Sequence, residues 1–347
     1  MIPIKGRRIL LIGGAGFIGH NFALELKRLG AEVSVLDNLQ VNNLLKFAGN
    51  GNAGNGKYLG MLHQRLDMLR QANVPLYVQD ARDYHALSKI MNDVQPQTVV
   101  QLAAVAHANQ SNKDPYSTFD HSFRTLENAL DWSRGYAEHF VYFSSSMIYG
   151  HFPGGFVTEQ TPCEPLGIYA ALKFGGEKLV IAYNQAFDLP YTIIRPSALY
   201  GPRCVSRRVG QIFIEKAMQG EEITIHGDGS DRLDFTYIDD LVQGLVLSIT
   251  KPEARNQIFN LTYGESRSLA DMAELVRAEF PDCNVKYVPK DKLTPDRGTL
   301  SVDKARELIG YDPQWPLEKG FPEYMRWYRE SWGQLDGDTP AGGVAGA

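Results

Sequence analysis

Residues 8–19, Arg-Ile-Leu-Leu-Ile-Gly-Gly-Ala-Gly-Phe-Ile-Gly, leave a chain few ways to fold. Ile9 to Ile12 is an apolar run too short for a helix and closed abruptly by glycine, so it reads as a buried strand. Gly13, Gly16 and Gly19 follow three apart. That spacing lets the backbone turn sharply, offers bare main-chain N–H groups to a pyrophosphate, and brings the next helix close against the strand. About twenty residues further on, the apolar run Val33 to Leu36 ends in Asp37. A carboxylate there accepts both ribose hydroxyls and repels a 2′-phosphate, and no basic residue lies near it in sequence. The expected cofactor is therefore NAD rather than NADP.

Strand and helix patterns then alternate. Leu76 to Gln79 reads as a strand running into Asp80-Ala81-Arg82-Asp83, and Leu87, Ile90, Met91 and Val94 give Tyr84–Val94 a helical face. A strand at Thr98 to Leu102 ends in Ala103-Ala104, residues small enough for close approach by a cofactor. Asp114-Pro115 opens a helix with Phe119, Phe123, Leu126 and Leu130 on one expected face, and His139 to Phe143 is a strand entering Ser144-Ser145-Ser146. Tyr169 to Phe187 is helical, and Tyr191 to Ile194 is the next strand. Such alternation requires right-handed crossovers and a parallel sheet covered on both faces.

The expected class is α/β: a Rossmann-type doubly wound parallel sheet over residues 7–198, with a smaller C-terminal α/β substrate lobe over 199–330, interleaved with the first. That lobe mixes short strands at Ile223 to His226 and Val285 to Val288 with helices at Gln211 to Gln219, Ile238 to Thr250 and Leu269 to Phe280. From Asn38 to Pro75 the pattern loosens, and the Gly/Asn run at 48–56 reads as a mobile loop. Residues 333–347, rich in Gly and Ala, read as a disordered tail.

With 347 residues the chain has ample interior for a core, and a net charge of -5 without any basic cluster argues against nucleic acid or an anionic membrane as partner. Cys163, Cys204 and Cys283 are widely separated and odd in number, so neither a disulfide framework nor a metal site is expected. The start of the chain lacks the apolar core of a signal peptide, and no run approaches the roughly 20 apolar residues of a membrane span. The expectation is a soluble cytoplasmic protein.

Tyr169 and Lys173 stand at i and i+4 and share a helical face. An ammonium beside a phenol favours the phenolate, the form a general base needs. Ser145, at the end of the preceding strand, is placed to hold the same substrate hydroxyl.

Together these pieces resemble the extended short-chain dehydrogenases/reductases, in the nucleotide-sugar branch typified by UDP-glucose 4-epimerase. The matching segments are Gly13 to Gly19, Asp37-Asn38, Asp80 to Asp83, Leu102-Ala103-Ala104, Ser144 to Ser146 with Tyr149-Gly150, Tyr169 with Lys173, Arg195-Pro196, Tyr200-Gly201-Pro202, Gly227 to Ser230, Phe235 and Tyr237 to Asp240. The resemblance runs from about Arg8 to Trp327. It implies a cofactor set of Gly13, Gly16, Phe17, Ile18, Gly19, Asp37, Asn38, Asp80, Ala81, Leu102, Ala103, Ala104, Tyr169 and Lys173, with Asp80 and Ala81 at the adenine and Lys173 at the nicotinamide ribose. Tyr169 becomes the base, Ser145 the holder of the reacting hydroxyl, and Ser146, Arg208, Arg232 and Arg297 the contacts to a nucleotide-diphosphate sugar, most simply a UDP-sugar. A homodimer through the helices near Pro115 to Trp132 and Lys173 to Phe187 is also implied.

The departures narrow the reaction. Relatives that dehydrate the sugar carry Asp-Glu directly after the catalytic serine or threonine, where this chain has Ser146-Met147. Methionine transfers no proton, so 4,6-dehydration is disfavoured, and the glutamate of a sugar-acid decarboxylase is missing too. Ala198 replaces an asparagine that contacts the nucleotide sugar, and Leu233 replaces a diphosphate-binding arginine. The expected activity is NAD-dependent inversion of carbon 4. A ketosugar reductase of the same family and a catalytically idle NAD-binding protein are the alternatives.

Overall fold

The computed structural model describes residues 1–48, 56–105, 108–289 and 295–335. Seven strands form its central sheet: β1 Arg8–Ile12, β2 Glu32–Asp37, β3 Leu76–Val78, β4 Thr98–Gln101, β5 His139–Phe143, β6 Tyr191–Arg195 and β7 Gln257–Asn260. Their order is β7-β6-β5-β4-β1-β2-β3, and every pairing is parallel. The apolar run Ile9 to Ile12 lies inside this sheet, between β4 and β2. Ile9, Leu10, Leu11 and Ile12 are all fully buried, because a parallel strand with helices on both faces has no wet side.

Successive β1 side chains point to opposite faces. Ile9 and Leu11 join the layer containing Phe22, Leu26, Met61 and Leu245. Leu10 and Ile12 join the layer containing Leu87, Met91, Leu126, Leu130 and Val180. The chain leaves the sheet after β6 and returns once, at β7, so the second half of the sequence contributes an edge strand. Ile223–His226 and Val285–Val288 pair with each other, in parallel, away from this sheet.

The structure revises several expectations. Within the loose stretch 38–75 it has a 16-residue helix, Gly56–Gln71, whose buried residues Tyr58, Met61, Leu62, Arg65 and Leu69 recur at helical spacing. The expected mobile loop at 48–56 falls almost wholly outside the described residues. Phe119 does not share a face with Leu126 and Leu130. A π-turn over Asp120–Arg124 inserts an extra residue and shifts the helical phase, leaving Phe119 45% exposed and stacked on Phe123, while Leu126 and Leu130 are fully buried. The tail expected from Gly333 begins no earlier than residue 336, since the helix Leu317–Leu335 includes Gly333. Residues 336–347 lie outside the described ones. Among the described residues, no helix is long and apolar enough to cross a membrane.

Candidate active site

All strands of the sheet point the same way, so the loops after their carboxyl ends collect along one edge, and the strand order reverses between β1 and β4. That reversal opens a crevice at this edge. Gly13 turns the chain out of β1 with φ +80°, and a Cβ there would meet the Ala103 backbone nitrogen at 2.6 Å. Gly19 lies so close to the turn that a Cβ would meet Gly14 Cα at 2.5 Å. The helix Phe17–Arg28 starts at Gly16 with no capping side chain. Its first N–H groups are therefore available to an anion, and the helix dipole favours one there.

The cavity over this turn is lined by every residue of the expected cofactor set except Tyr169 and Lys173. Asp37 ends β2 and accepts from the backbone N–H of Leu39 at 2.8 Å and of Ala15 at 3.1 Å. Burial pushes its carboxyl up, against those two bonds and the nearby charge of Arg65. Asp80 accepts from Arg82 at 2.6 Å and from Asn38 at 3.2 Å. Burial alone would raise it, but the hydrogen bonds and charge outweigh that and bring it down to about 2. Sequence reasoning missed His121, Thr125 and Arg65, which also line this cavity. Arg65 corrects the expectation that no basic residue lies near Asp37: it comes from the helix Gly56–Gln71, is 1% exposed, and donates from Nε to the Arg203 carbonyl at 3.0 Å.

A second cavity adjoins the first, sharing Ile18, Leu102, Ala104, Leu199 and Arg208 with it, and it brings Ser145, Ser146, Tyr169, Lys173 and Arg297 together. Lys173 reaches down from the helix Gly167–Phe187 and donates to the carbonyl of Phe143, the last residue of β5, at 2.6 Å. Burial lowers this ammonium to about 8, partly opposed by the charge of Glu177. Arg297 donates from Nη2 to Ser197 Oγ at 2.9 Å and to Ser146 Oγ.

The aim of the Tyr169 helix is set by a buried pair. Glu177, one turn beyond Lys173, receives Arg195 of β6 in a two-pronged bond, Nε to Oε1 at 2.9 Å and Nη2 to Oε2 at 2.8 Å. Arg195 Nη1 also donates to Tyr149 Oη at 2.8 Å, and Tyr149 donates to Asn260 Oδ1 at 2.8 Å. Helix, β6, the serine loop and β7 are thereby tied together behind the chamber. Arg232, expected among the substrate contacts, is turned away. It pairs in an antiparallel ladder with Ser268 and donates to Ser266 Oγ at 3.0 Å. Strand alternation instead presents Leu233, with Phe235, to a third cavity that continues past Arg208 and Arg297.

The model of the NAD dependent epimerase/dehydratase family matches residues 9–262. The chain belongs to that family. The UDP-glucose 4-epimerase of Thermotoga maritima, solved with UDP-glucose, superimposes with a TM-score of 0.81 at 27% identity, over 93% of this chain and 99% of that one. The Thermus thermophilus UDP-glucose 4-epimerase, solved with NAD, gives 0.79 at 26%, with the same two coverages. A UDP-N-acetyl-alpha-D-glucosaminuronate decarboxylase of Bacillus cytotoxicus is 25% identical over 93% of this chain and 98% of its own length. Relatives thus span more than one reaction. The cofactor of the family is NAD, and the residues present fit it: a cradle at Gly13 that a Cβ would fill, an uncapped helix start at Gly16, and a carboxylate at Asp37. A 2′-phosphate bound beside Asp37 would meet its negative charge, and Arg65 donates to the Arg203 carbonyl. Thermal-shift titration is expected to show strong stabilisation by NAD and little by NADP; comparable shifts would contradict the role of Asp37.

Proposed function

We propose that the chain is a nucleotide-sugar epimerase that inverts carbon 4 through a transient 4-keto sugar. The observation that carries this reading is the second cavity: Ser145, Tyr169 and Lys173 line it together, and no carboxylic acid is among its lining residues. Dehydration needs an acid and a base beyond the tyrosine, and Met147 stands where the family's second acid would be.

NAD, when bound, supplies the hydride acceptor for carbon 4 and the donor that returns the hydride to the other face of the ring. Ser145 holds the C4 hydroxyl. Tyr169 takes its proton and later gives a proton back, a transfer whose efficiency depends on holding the phenol at the reacting oxygen. The Lys173 ammonium, fixed on the Phe143 carbonyl, brings its charge to the same chamber. Arg208 offers positive charge to a diphosphate, and Leu233 with Phe235 forms an apolar wall beside it for the carrier nucleotide, which we read as uridine. Incubation with a panel of UDP-sugars and no added reductant tests this, the expected product being the C4 isomer alone.

The same reading includes a homodimer. Tyr116, Phe119, Ile168 and Phe187 are exposed on the helices that the family resemblance places at the interface. Light scattering at micromolar concentration is expected to give twice the chain mass of 38.7 kDa; a single chain's mass would contradict it.

A further inference from the structure

We propose that the sugar carries its own negative charge beside the reacting carbon, so that the substrate class is a nucleotide-linked hexuronic acid. This rests on the epimerase reading and names the substrate within it. The catalytic chamber contains three cations, Lys173, Arg208 and Arg297, and no carboxylate among its lining residues. Arg297 donates to both Ser146 Oγ and Ser197 Oγ. A guanidinium only donates, so both hydroxyls accept from it and direct their own protons elsewhere. The resulting set is two O–H donors on a guanidinium, with no carboxylate among the lining residues to accept from a sugar hydroxyl. A neutral hydroxymethyl group brings a proton that finds a poor partner there. A carboxylate brings only acceptors and gains charge-assisted bonds.

The free protein also leaves this cation under-bonded. Arg297 Nε is buried with no hydrogen-bond partner among the described residues. Burial, reinforced by the charge of Arg208, lowers the guanidinium to about 10.

Position selects the sugar's C5 substituent as the source of the charge. Ser146 directly follows Ser145, which holds the C4 hydroxyl in the reading above. In a pyranose the C5 substituent adjoins C4, whereas the diphosphate leaves from C1 across the ring. The carrier's diphosphate is the other source of the same chemistry, and the experiment separates the two.

The full chain with NAD is assayed with UDP-glucuronate and UDP-glucose, and binding of UDP alone is measured by calorimetry. The proposal predicts C4 inversion of UDP-glucuronate with kcat/KM at least about 10-fold above UDP-glucose, the scale of one charge-assisted hydrogen bond. In the double variant Ser146→Ala, Ser197→Ala that preference collapses while UDP affinity is unchanged. Inversion of UDP-glucose as efficient as that of the uronate overturns this proposal and leaves the epimerase reading intact. Loss of CO2 from UDP-glucuronate, whose 4-keto form is a β-keto acid, overturns C4 inversion but upholds recognition of the carboxylate. Equal weakening of UDP and UDP-glucuronate in the double variant assigns the site to the diphosphate and overturns the proposal. If neither sugar nucleotide binds better than UDP, both readings fail. Should the double variant not fold, the wild-type ratio of the two substrates decides alone.

Discussion

Replacing Tyr169 by Phe is expected to lower turnover by about 10²- to 10⁴-fold, the usual cost of losing a positioned general acid–base group, while the fold and NAD affinity persist. The ring of Tyr169 is half-buried and lines the chamber beside Ser145 and Lys173. Phenylalanine keeps its packing and deletes only the oxygen. Lys173→Met differs in kind, because it also removes the 2.6 Å bond to the Phe143 carbonyl and the contact assigned to the nicotinamide ribose. It should lower both turnover and NAD affinity. Steady-state rates with calorimetric NAD binding distinguish the two variants, and a Tyr169→Phe protein within threefold of the parent rate would remove Tyr169 from the role of base.

The second large effect is on stability. Glu177→Ala leaves Arg195 charged at 3% exposure without its carboxylate. Removing one partner of a buried ion pair typically costs about 3–5 kcal/mol. Burial alone would lower the Arg195 guanidinium, and it is the hydrogen bond and charge of Glu177 that raise it. Urea unfolding is expected to show a loss of that size, with the slope unchanged. The charge of Glu177 also holds the Lys173 ammonium up against its own burial, so turnover should fall even under conditions where the variant is folded. Replacing Arg195 and Glu177 together by apolar residues should recover much of the stability but not the aim of the helix. A loss below about 1 kcal/mol, the scale of an exposed pair, would show that the pair does not anchor the helix.

Local signals made much of this legible before the structure. The glycine turn, the apolar strands and the Tyr169/Lys173 spacing each depend on neighbours within a few residues, and the strands expected from the sequence appear within a residue or two of their bounds, whereas the edge strand Gln257–Asn260 was not among them. Gly56–Gln71 was obscured by the Gly/Asn run before it, although Tyr58, Met61, Leu62, Arg65 and Leu69 carried a helical period. What no local pattern reveals is pairing across the chain. Arg65 approaches Asp37 only because its helix packs on Phe17–Arg28. Arg297 meets Ser197 across 100 residues of sequence. Arg232 and Leu233 illustrate a one-residue ambiguity: an arginine beside the expected position reads as a substitute, but strand alternation sends it to the opposite face. Glu177 had a usable signal, a carboxylate one turn beyond Lys173 on the same helical face, whereas its partner Arg195 came from a different strand.

The central claim is that hydride leaves carbon 4 and returns to carbon 4. A UDP-sugar labelled with deuterium at that carbon, incubated with the protein and without added reductant, tests it directly by NMR. The account predicts the C4 isomer with deuterium retained at carbon 4 and no accumulation of NADH. Deuterium found at carbon 6, or a keto product formed with stoichiometric NADH, would contradict it.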